Sequence, residues 1–368
     1  MKEVITYVGL DVHKRSIAVC VILPGSSEFL EWEIENTPTA IRKLASSLKR
    51  RAPDVIHACY EAGPAGFVLK RKLEALGAPC DVIAPSLVPR KPGEKIKTDR
   101  RDARKLAKAL RNGDLTCVEP PTEEQESIRD LVRARDATRI ERSSAQHRLT
   151  KFLDRRGFFF AGRSWTKAHE KFLDGLELEP IDRLTFDHYR LTVMQADERL
   201  AHLDARIVEI AQTPPYCEAV GRLRMLRGID TYSAMVLVVE LFEFGRFESP
   251  RALMAYLGLV PGEDSSGERE KRQGITKTGN ARVRRILIEA AQHQRRPYRI
   301  STALRKRREG RPDWAIAIAD RAGQRLSHRF RRLEGRGKTR NKTVVAVARE
   351  LAGFVWSLLI RPATETTA

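Results

Sequence analysis

ITYVGLDV (5–12), HKR (13–15) and SIAVCVIL (16–23) form the stretch on which the reading of the fold turns. Two runs rich in β-branched and apolar residues flank three polar ones, and this pattern predicts a β-hairpin. Residues 29–35 predict a third strand beside it. Residues 37–49 then change period: Ile41, Leu44 and Leu48 fall at helical spacing, with Thr37 or Thr39 placed to cap the helix.

The alternation continues. Val55–Tyr60 is a short apolar run that predicts a buried strand, and Gly63-Pro64 is expected to open a helix reaching Leu76. Asp81–Ala84 predicts another strand, and residues 97–111 a strongly patterned helix. The order β-β-β-α-β-α-β-α, closing near residue 115, is that of an RNase H/RuvC-like α/β domain.

Beyond it, residues 123–155 and 187–212 carry apolar residues at helical period among many charges. Two such helices around an insert, RRGFFFAGRSWTKAH (155–169), predict a helical, coiled-coil arm over residues 116–213. The insert fits two readings equally, a nucleic-acid contact made by rings and cations or a small hydrophobic cap. Pro214-Pro215 marks the next boundary, and residues 214–362 predict a mainly α-helical domain with helices over 280–294 and 342–359. Residues 363–368 read as a disordered tail.

The 368 residues predict two or three domains with real cores, since 42% are apolar. No run of 18 apolar residues suggests a membrane span, and the start of the chain lacks a signal-peptide pattern. The five cysteines are scattered and form no CxxC pair, which favours reduced core cysteines in a cytosolic protein over disulfides or zinc. The net charge is +20, and residues 268–349 alone hold 25 Lys+Arg against 7 Asp+Glu, or +18. Charge concentrated in one segment points to a polyanionic partner, with nucleic acid the first candidate, more than to a general need for solubility.

Four acids stand out. Asp11 ends the first strand, Glu61 follows the fourth, and Asp99 and Asp102 share one face of the helix in KTDRRDARKLA (97–107). Carboxylates at strand ends facing two on a helix can hold hard divalent ions, which assist phosphodiester chemistry. Taken singly, Asp11 fits the phosphate loop of an actin-like kinase, and Asp99 and Asp102 fit ordinary surface acids. A second constellation lies in YLGLVPGEDSSGEREKRQGITKTGNARVRRILIEAA (256–291). Ser265 and Ser266 precede Gly267, and Lys277, Arg282, Arg284 and Arg285 follow. A glycine-flanked serine can approach a phosphate while neighbouring cations offset developing charge; by spacing alone, Ser-Ser-Gly is usually only a loop. LRMLRGIDTYSA (223–234) is close to a helix-hairpin-helix, but Asp230 stands where that motif has its second glycine, so a plain helical turn is the better reading.

YVGLDVHKRSIAV (7–19), YEAGPAG (60–66), KTDRRDARKLA and the block GLVPGEDSSG…GITKTGN resemble the Piv/IS one-ten insertion-sequence transposases, over almost the whole chain. The resemblance implies a DEDD site of Asp11, Glu61, Asp99 and Asp102 binding Mg2+. It implies Ser266 as the catalytic nucleophile, with Ser265 as the neighbour that chemistry alone leaves open. Lys277, Thr278 and Asn280 match the family's motif region and are expected to contact nucleic acid, as are Arg282, Arg284 and Arg285 by their charge. The resemblance further implies a homo-oligomer, expected to be a tetramer, and a structured guide RNA beside DNA as partners. Three rivals are a metal-only RuvC-type nuclease, in which Ser266 is dispensable, a non-catalytic nucleic-acid-binding protein, and, more distantly, the kinase.

Overall fold

The structure, a computed structural model, describes residues 4–52, 54–89, 98–263 and 272–360. The chain divides into two compact units, residues 1–121 and 122–368. The first is a mixed α/β unit and the second is mostly helical.

The first unit is built on a five-stranded sheet of order β3-β2-β1-β4-β5. β1 (Ile5–Val12), β2 (Ser16–Ile22) and β3 (Leu30–Glu35) run antiparallel, while β4 (Val55–Glu61) and β5 (Cys80–Ile83) continue parallel to β1. The expected hairpin closes where His13 N–H donates to the Ser16 carbonyl at 2.9 Å. Helix α1 (Pro38–Arg51) starts as its cap predicts, with Thr37 Oγ1 accepting from Ala40 N–H. Helix α2 (Val68–Ala75) begins later than Gly63-Pro64 suggested. Gly66 is left-handed at φ 58° and its N–H bonds to Gly63, while its carbonyl accepts the Tyr60 hydroxyl at 2.8 Å, so a turn occupies the space of the expected first helical turn. Helix α3 (Asp99–Asn112) is capped by Thr98.

The two sheet faces carry separate cores. Val8, Leu10, Val19 and Val21 pack with Ile41, Leu44 and Leu48 of α1 and Leu69 and Leu73 of α2. On the other face Ala18, Cys20 and Cys59 pack under Ala103, Leu106, Ala107 and Leu110 of α3. Strands buried on both faces explain the near-continuous apolar runs in β1, β2 and β4.

In the second unit, α4 (Glu123–Asp154) and α6 (Pro180–Ile210) run antiparallel. Arg135 pairs with Asp204 at 2.7 Å, Glu141 with Arg199 at 3.3 Å and Arg142 with Asp197, so partners on α6 step backward as α4 advances. Helix α6 starts at Pro180, earlier than the apolar period at residue 187 indicated, because proline suits the first helical position. Between them, α5 (Lys167–Asp174) and the aromatic insert close the end of the hairpin. Phe158, Trp165 and Phe172 pack on Leu149, Phe152, Leu153, Leu173 and Phe186, which is the hydrophobic-cap arrangement; Phe159 stays 71% exposed.

The remaining elements are α7 (Tyr216–Leu223), α8 (Thr231–Leu241), α9 (Pro250–Tyr256), β6 (Pro261–Glu263), β7 (Arg272–Ile275), α10 (Ala281–Gln292), α11 (Thr302–Lys306), α12 (Asp313–Gly335) and α13 (Arg340–Leu359). Helices α7, α8, α9, α10, α12 and α13 share one core that includes Leu237, Leu253, Leu287, Phe330 and Leu351. The turn before α8 is a plain one: Gly228 is left-handed at φ 85°, and the Asp230 carboxylate accepts from Ser233 N–H at 2.8 Å. The acid thus serves as the N-cap of α8. Helix α12 escaped the sequence reading because its buried face is mostly small residues (Ala315, Ala319, Ala322, Gly323, Ser327) within an arginine-rich segment. Among the described residues no helix is long and apolar enough to cross a membrane. All five cysteines are free; burial of Cys20 and Cys80 pushes their thiols up to about 12.

Candidate active site

Side chains alternate along a strand, so Gly9 and Asp11 lie on the face of β1 that α3 covers. An added Cβ on Gly9 would lie 2.1 Å from the Ala103 carbonyl oxygen and 2.4 Å from Ala107 N. Glycine there, opposite two alanines, lets the helix backbone lie directly on the strand. That contact sets the first turn of α3, with Asp99 and Asp102, at the carboxyl end of β1. The positive end of the helix dipole favours acids in that turn.

The ligand atoms of Asp11, His13 and Asp99 lie within 4.8 Å of one another. His13 Nε2 is 3.3 Å from Asp11 Oδ2 and 3.5 Å from Asp99 Oδ1. Burial raises the Asp11 carboxyl above its ordinary range; His13 opposes the rise, and the charges of Asp102 and Asp99 add to it. A cation among these groups relieves that repulsion, and the oxygen-rich donor set suits a hard divalent ion. Glu61 ends β4, and the pairing of Leu10 with Tyr60 places it next to Asp11 on the same sheet face, exposed to solvent. Glu61 and Asp102 are not members of the close group. His13 was read only as part of the polar turn, although its position two residues after a strand-end aspartate was a signal for it. Asn36 Nδ2 fixes it by donating to the His13 carbonyl at 2.8 Å.

Ser265 and Ser266 lie outside the described residues. The strands on either side are β6 and β7, paired antiparallel through Pro261–Ile275 and Glu263–Arg272. The chain after β7 is held by close backbone packing. Gly258 and Gly279 are left-handed at φ 61° and 65°, and a Cβ on Gly279 would lie 1.8 Å from the Tyr256 carbonyl oxygen. Asn280 then caps α10, its Oδ1 accepting from Arg282 N–H at 3.0 Å and Val283 N–H at 3.1 Å. Its amide donates to Glu240 Oε2 at 2.8 Å.

Glu240 is a residue the sequence reading missed. Its side chain is 1% exposed and accepts both Arg133 Nε at 2.7 Å and Nη2 at 2.9 Å. Burial pushes its carboxyl up, but hydrogen bonds from Arg133 and Asn280 outweigh this and hold it below the ordinary glutamate value. Of the four cations singled out, Lys277 and Arg282 are exposed. Arg284 donates to the Leu257 and Thr278 carbonyls at 2.9 and 2.7 Å, and Arg285 pairs with Asp136 at 2.8 Å and Glu289 at 3.1 Å. Both arginines therefore also hold the fold.

Residues 8–157 match a family model described as a transposase, of the DEDD type named for IS110, and residues 220–305 match the model "Transposase IS116/IS110/IS902 family". The chain is 41% identical over 98% of its length to the "Putative transposase y4qE" of Sinorhizobium fredii, covering 90% of that protein. It is 37% identical over 90% of its length to the transposase for insertion sequence element IS1533 of Leptospira borgpetersenii, covering 97% of it. A transposase of Coxiella burnetii, for element IS1111A, is 25% identical over 80% of the chain, covering 75% of that protein. The molecule is thus a transposase, an enzyme that cuts and joins DNA. It belongs to the IS110/IS116/IS902 family of insertion-sequence transposases. A DEDD-type domain points to the use of a divalent metal, in keeping with the Asp11–His13–Asp99 group.

Proposed function

We propose that the chain moves DNA by serine chemistry assisted by a magnesium-binding acidic site. The observation that carries this reading is the group of Asp11, Asp99 and His13 at the carboxyl end of β1, where the Asp11 carboxyl is held above its ordinary range. In this reading residues 1–115 form an RNase H/RuvC-like domain in which Asp11, Glu61, Asp99 and Asp102 hold Mg2+. The ion, when bound, supplies positive charge beside the scissile phosphate.

Ser266 Oγ attacks phosphorus. The Oγ–P bond forms as the bond to the leaving strand breaks, and that strand departs as a hydroxyl, taking up the equivalent of the serine proton. A hydroxyl of a second strand then attacks the phosphoserine, and the serine leaves with its proton restored. Each step exchanges one phosphate ester for another, so no high-energy cofactor is needed. Lys277 and Arg282 steady the DNA phosphates, joined by whichever N–H groups of Arg284 and Arg285 the fold leaves over.

The same reading takes in a coiled-coil arm over 116–213, a serine transposase domain over 214–362, and action on DNA in the bacterial cytoplasm at the nucleoid; the tail expected over 363–368 lies outside the described residues. The arm joins a homo-tetramer in which the acids of one subunit serve the serine of another. Supporting this, Ile181, Leu184, Leu191 and Met194 on α6 are 79, 72, 52 and 59% exposed, and the first three fall at coiled-coil spacing. The excess of +18 over residues 268–349 suits a structured guide RNA as well as DNA.

The metal half is tested by cleavage of labelled element-end DNA with magnesium, with chelator, and with Asp11→Asn. Loss of cleavage in the last two supports it, and cleavage that survives both overturns it. If Ser266→Ala cleaves as well as the natural protein, the metal-only nuclease replaces the serine mechanism. If no variant or natural preparation cleaves while all bind DNA, the non-catalytic reading replaces both.

A further inference from the structure

In the second unit, β6, β7, α9 and α13 enclose a groove of about 650 Å³ that the chemistry above does not use. Its floor is aliphatic: Met254, Leu259, Pro261, Ile275, Val345 and Ala346. Gly353 lets this floor close up, because a Cβ there would lie 2.9 Å from Met254 Cε. The rim is cationic, with Arg251, Arg329, Lys342 and Arg349. Glu350 is the acid on the groove's described lining, and its two oxygens are taken by Arg325 at 2.8 Å and Arg329 at 3.1 Å. Arg251, Lys342 and Arg349 have no ion-pair partner among the described residues.

An apolar floor beside three cations without an ion-pair partner among the described residues suits one kind of occupant, a flat apolar group that carries anions at its edge. An unpaired nucleobase with its flanking phosphates has that form, and its volume fits a groove of this size. A second copy of this segment fits poorly, because its own excess charge is positive. The position is also suggestive, since the two strands that wall the groove continue into the segment holding Ser265 and Ser266.

We propose that this groove receives a single unpaired base of the DNA substrate, lifted out of the duplex. Met254, Ile275 and Val345 contact the faces of the base, and Lys342, Arg251 and Arg349 hold the phosphates on either side. The inference rests on DNA being the partner and on the serine reading only for its purpose. Binding measured without metal separates the two, because it needs no strand chemistry.

The test is fluorescence anisotropy with the full-length protein at low salt, where its net charge of +20 secures duplex binding. The probes are a labelled perfect duplex and the same duplex with one unpaired thymine. The natural protein is expected to prefer the bulged duplex about fivefold, the lower end for burying a base face. Ala346→Trp fills the floor and is expected to abolish the preference while keeping affinity for the perfect duplex. Lys342→Gln, an exposed change that carries no folding risk, should weaken the bulged duplex more than the perfect one. Equal binding of the two duplexes by the natural protein overturns the proposal. So does a preference that survives in folded Ala346→Trp, or a Lys342→Gln that weakens both duplexes equally, which would mark a general basic surface. If Ala346→Trp does not fold, Lys342→Gln decides. A change of oligomeric state in Ala346→Trp together with equal binding would assign the groove to a second copy instead.

Discussion

Replacing Gly9 by alanine tests how the acidic site is positioned. The added methyl would stand 2.1 Å from the Ala103 carbonyl oxygen, 2.4 Å from Ala107 N and 3.1 Å from Ala107 Cα. These are backbone atoms in the middle of α3, so no side-chain rotation relieves the clash and the helix must lift by roughly 1 Å to restore ordinary contact. Overpacking of this kind costs about 1–3 kcal/mol, and a rigid backbone neighbour argues for about 3. For a unit of this size that corresponds to a fall of roughly 10 °C in Tm. Lifting α3 also moves Asp99 and Asp102 away from Asp11, and a misplacement of ~1 Å at a reacting centre costs on the order of a hundredfold in rate. The assay is thermal unfolding by circular dichroism with and without divalent metal, beside DNA cleavage. Neither Ala103→Gly nor Ala107→Gly should rescue the variant, because the atoms met are backbone. A Gly9→Ala protein with unchanged Tm and unchanged metal response would refute the account of how α3 is seated.

Three further outcomes are expected. The raised Asp11 carboxyl favours the folded state only when protonated, so this contribution is lost as pH rises through its folded value. Asp11→Asn should therefore raise the metal-free Tm at neutral pH, by up to a few degrees, and abolish the Tm rise on adding metal; a lower metal-free Tm would contradict this. The Glu240 carboxyl is held low, so it stabilises the second unit above the unfolded glutamate value and that help disappears as pH falls through the folded value. Glu240→Ala should cost about 3 kcal/mol at neutral pH and flatten the acid limb of the unfolding profile, measured in urea at several pH values. Leu184→Glu with Leu191→Glu should lower the mass seen by light scattering without changing helix content, and an unchanged mass would remove these residues from any subunit contact.

The first unit was largely legible because its signals are local. Apolar runs in β1, β2 and β4 arise from burial on both faces, and Thr37 caps α1 in the structure as in the pattern. Each of the four acids sits at the end of an element that the sequence itself delimits, and the structure draws two of them, Asp11 and Asp99, together with His13. Part of what escaped depends on contacts distant in the chain. Glu240 gains its meaning from Arg133, 107 residues away, and from the amide of Asn280, and no periodicity announces a buried carboxylate between two such partners. His13 looked like one of three turn residues until the strand's alternation was followed one step past its end. The late start of α2 goes with a local turn, in which the Tyr60 hydroxyl donates to the Gly66 carbonyl six residues on, that the proline signal does not foretell. Helix α12 shows the limit of hydropathy when most of the buried face is made of small residues.

The central claim is a covalent serine step that depends on the acidic site, and a denaturing gel tests it most directly. The protein, purified from cells carrying the whole element so that any guide RNA accompanies it, is incubated with labelled element-end DNA and magnesium beside Ser266→Ala and Asp11→Ala. The account predicts a labelled protein–DNA band that both substitutions abolish. DNA cut to the same extent by the natural protein and Ser266→Ala, with no such band in either, would contradict it.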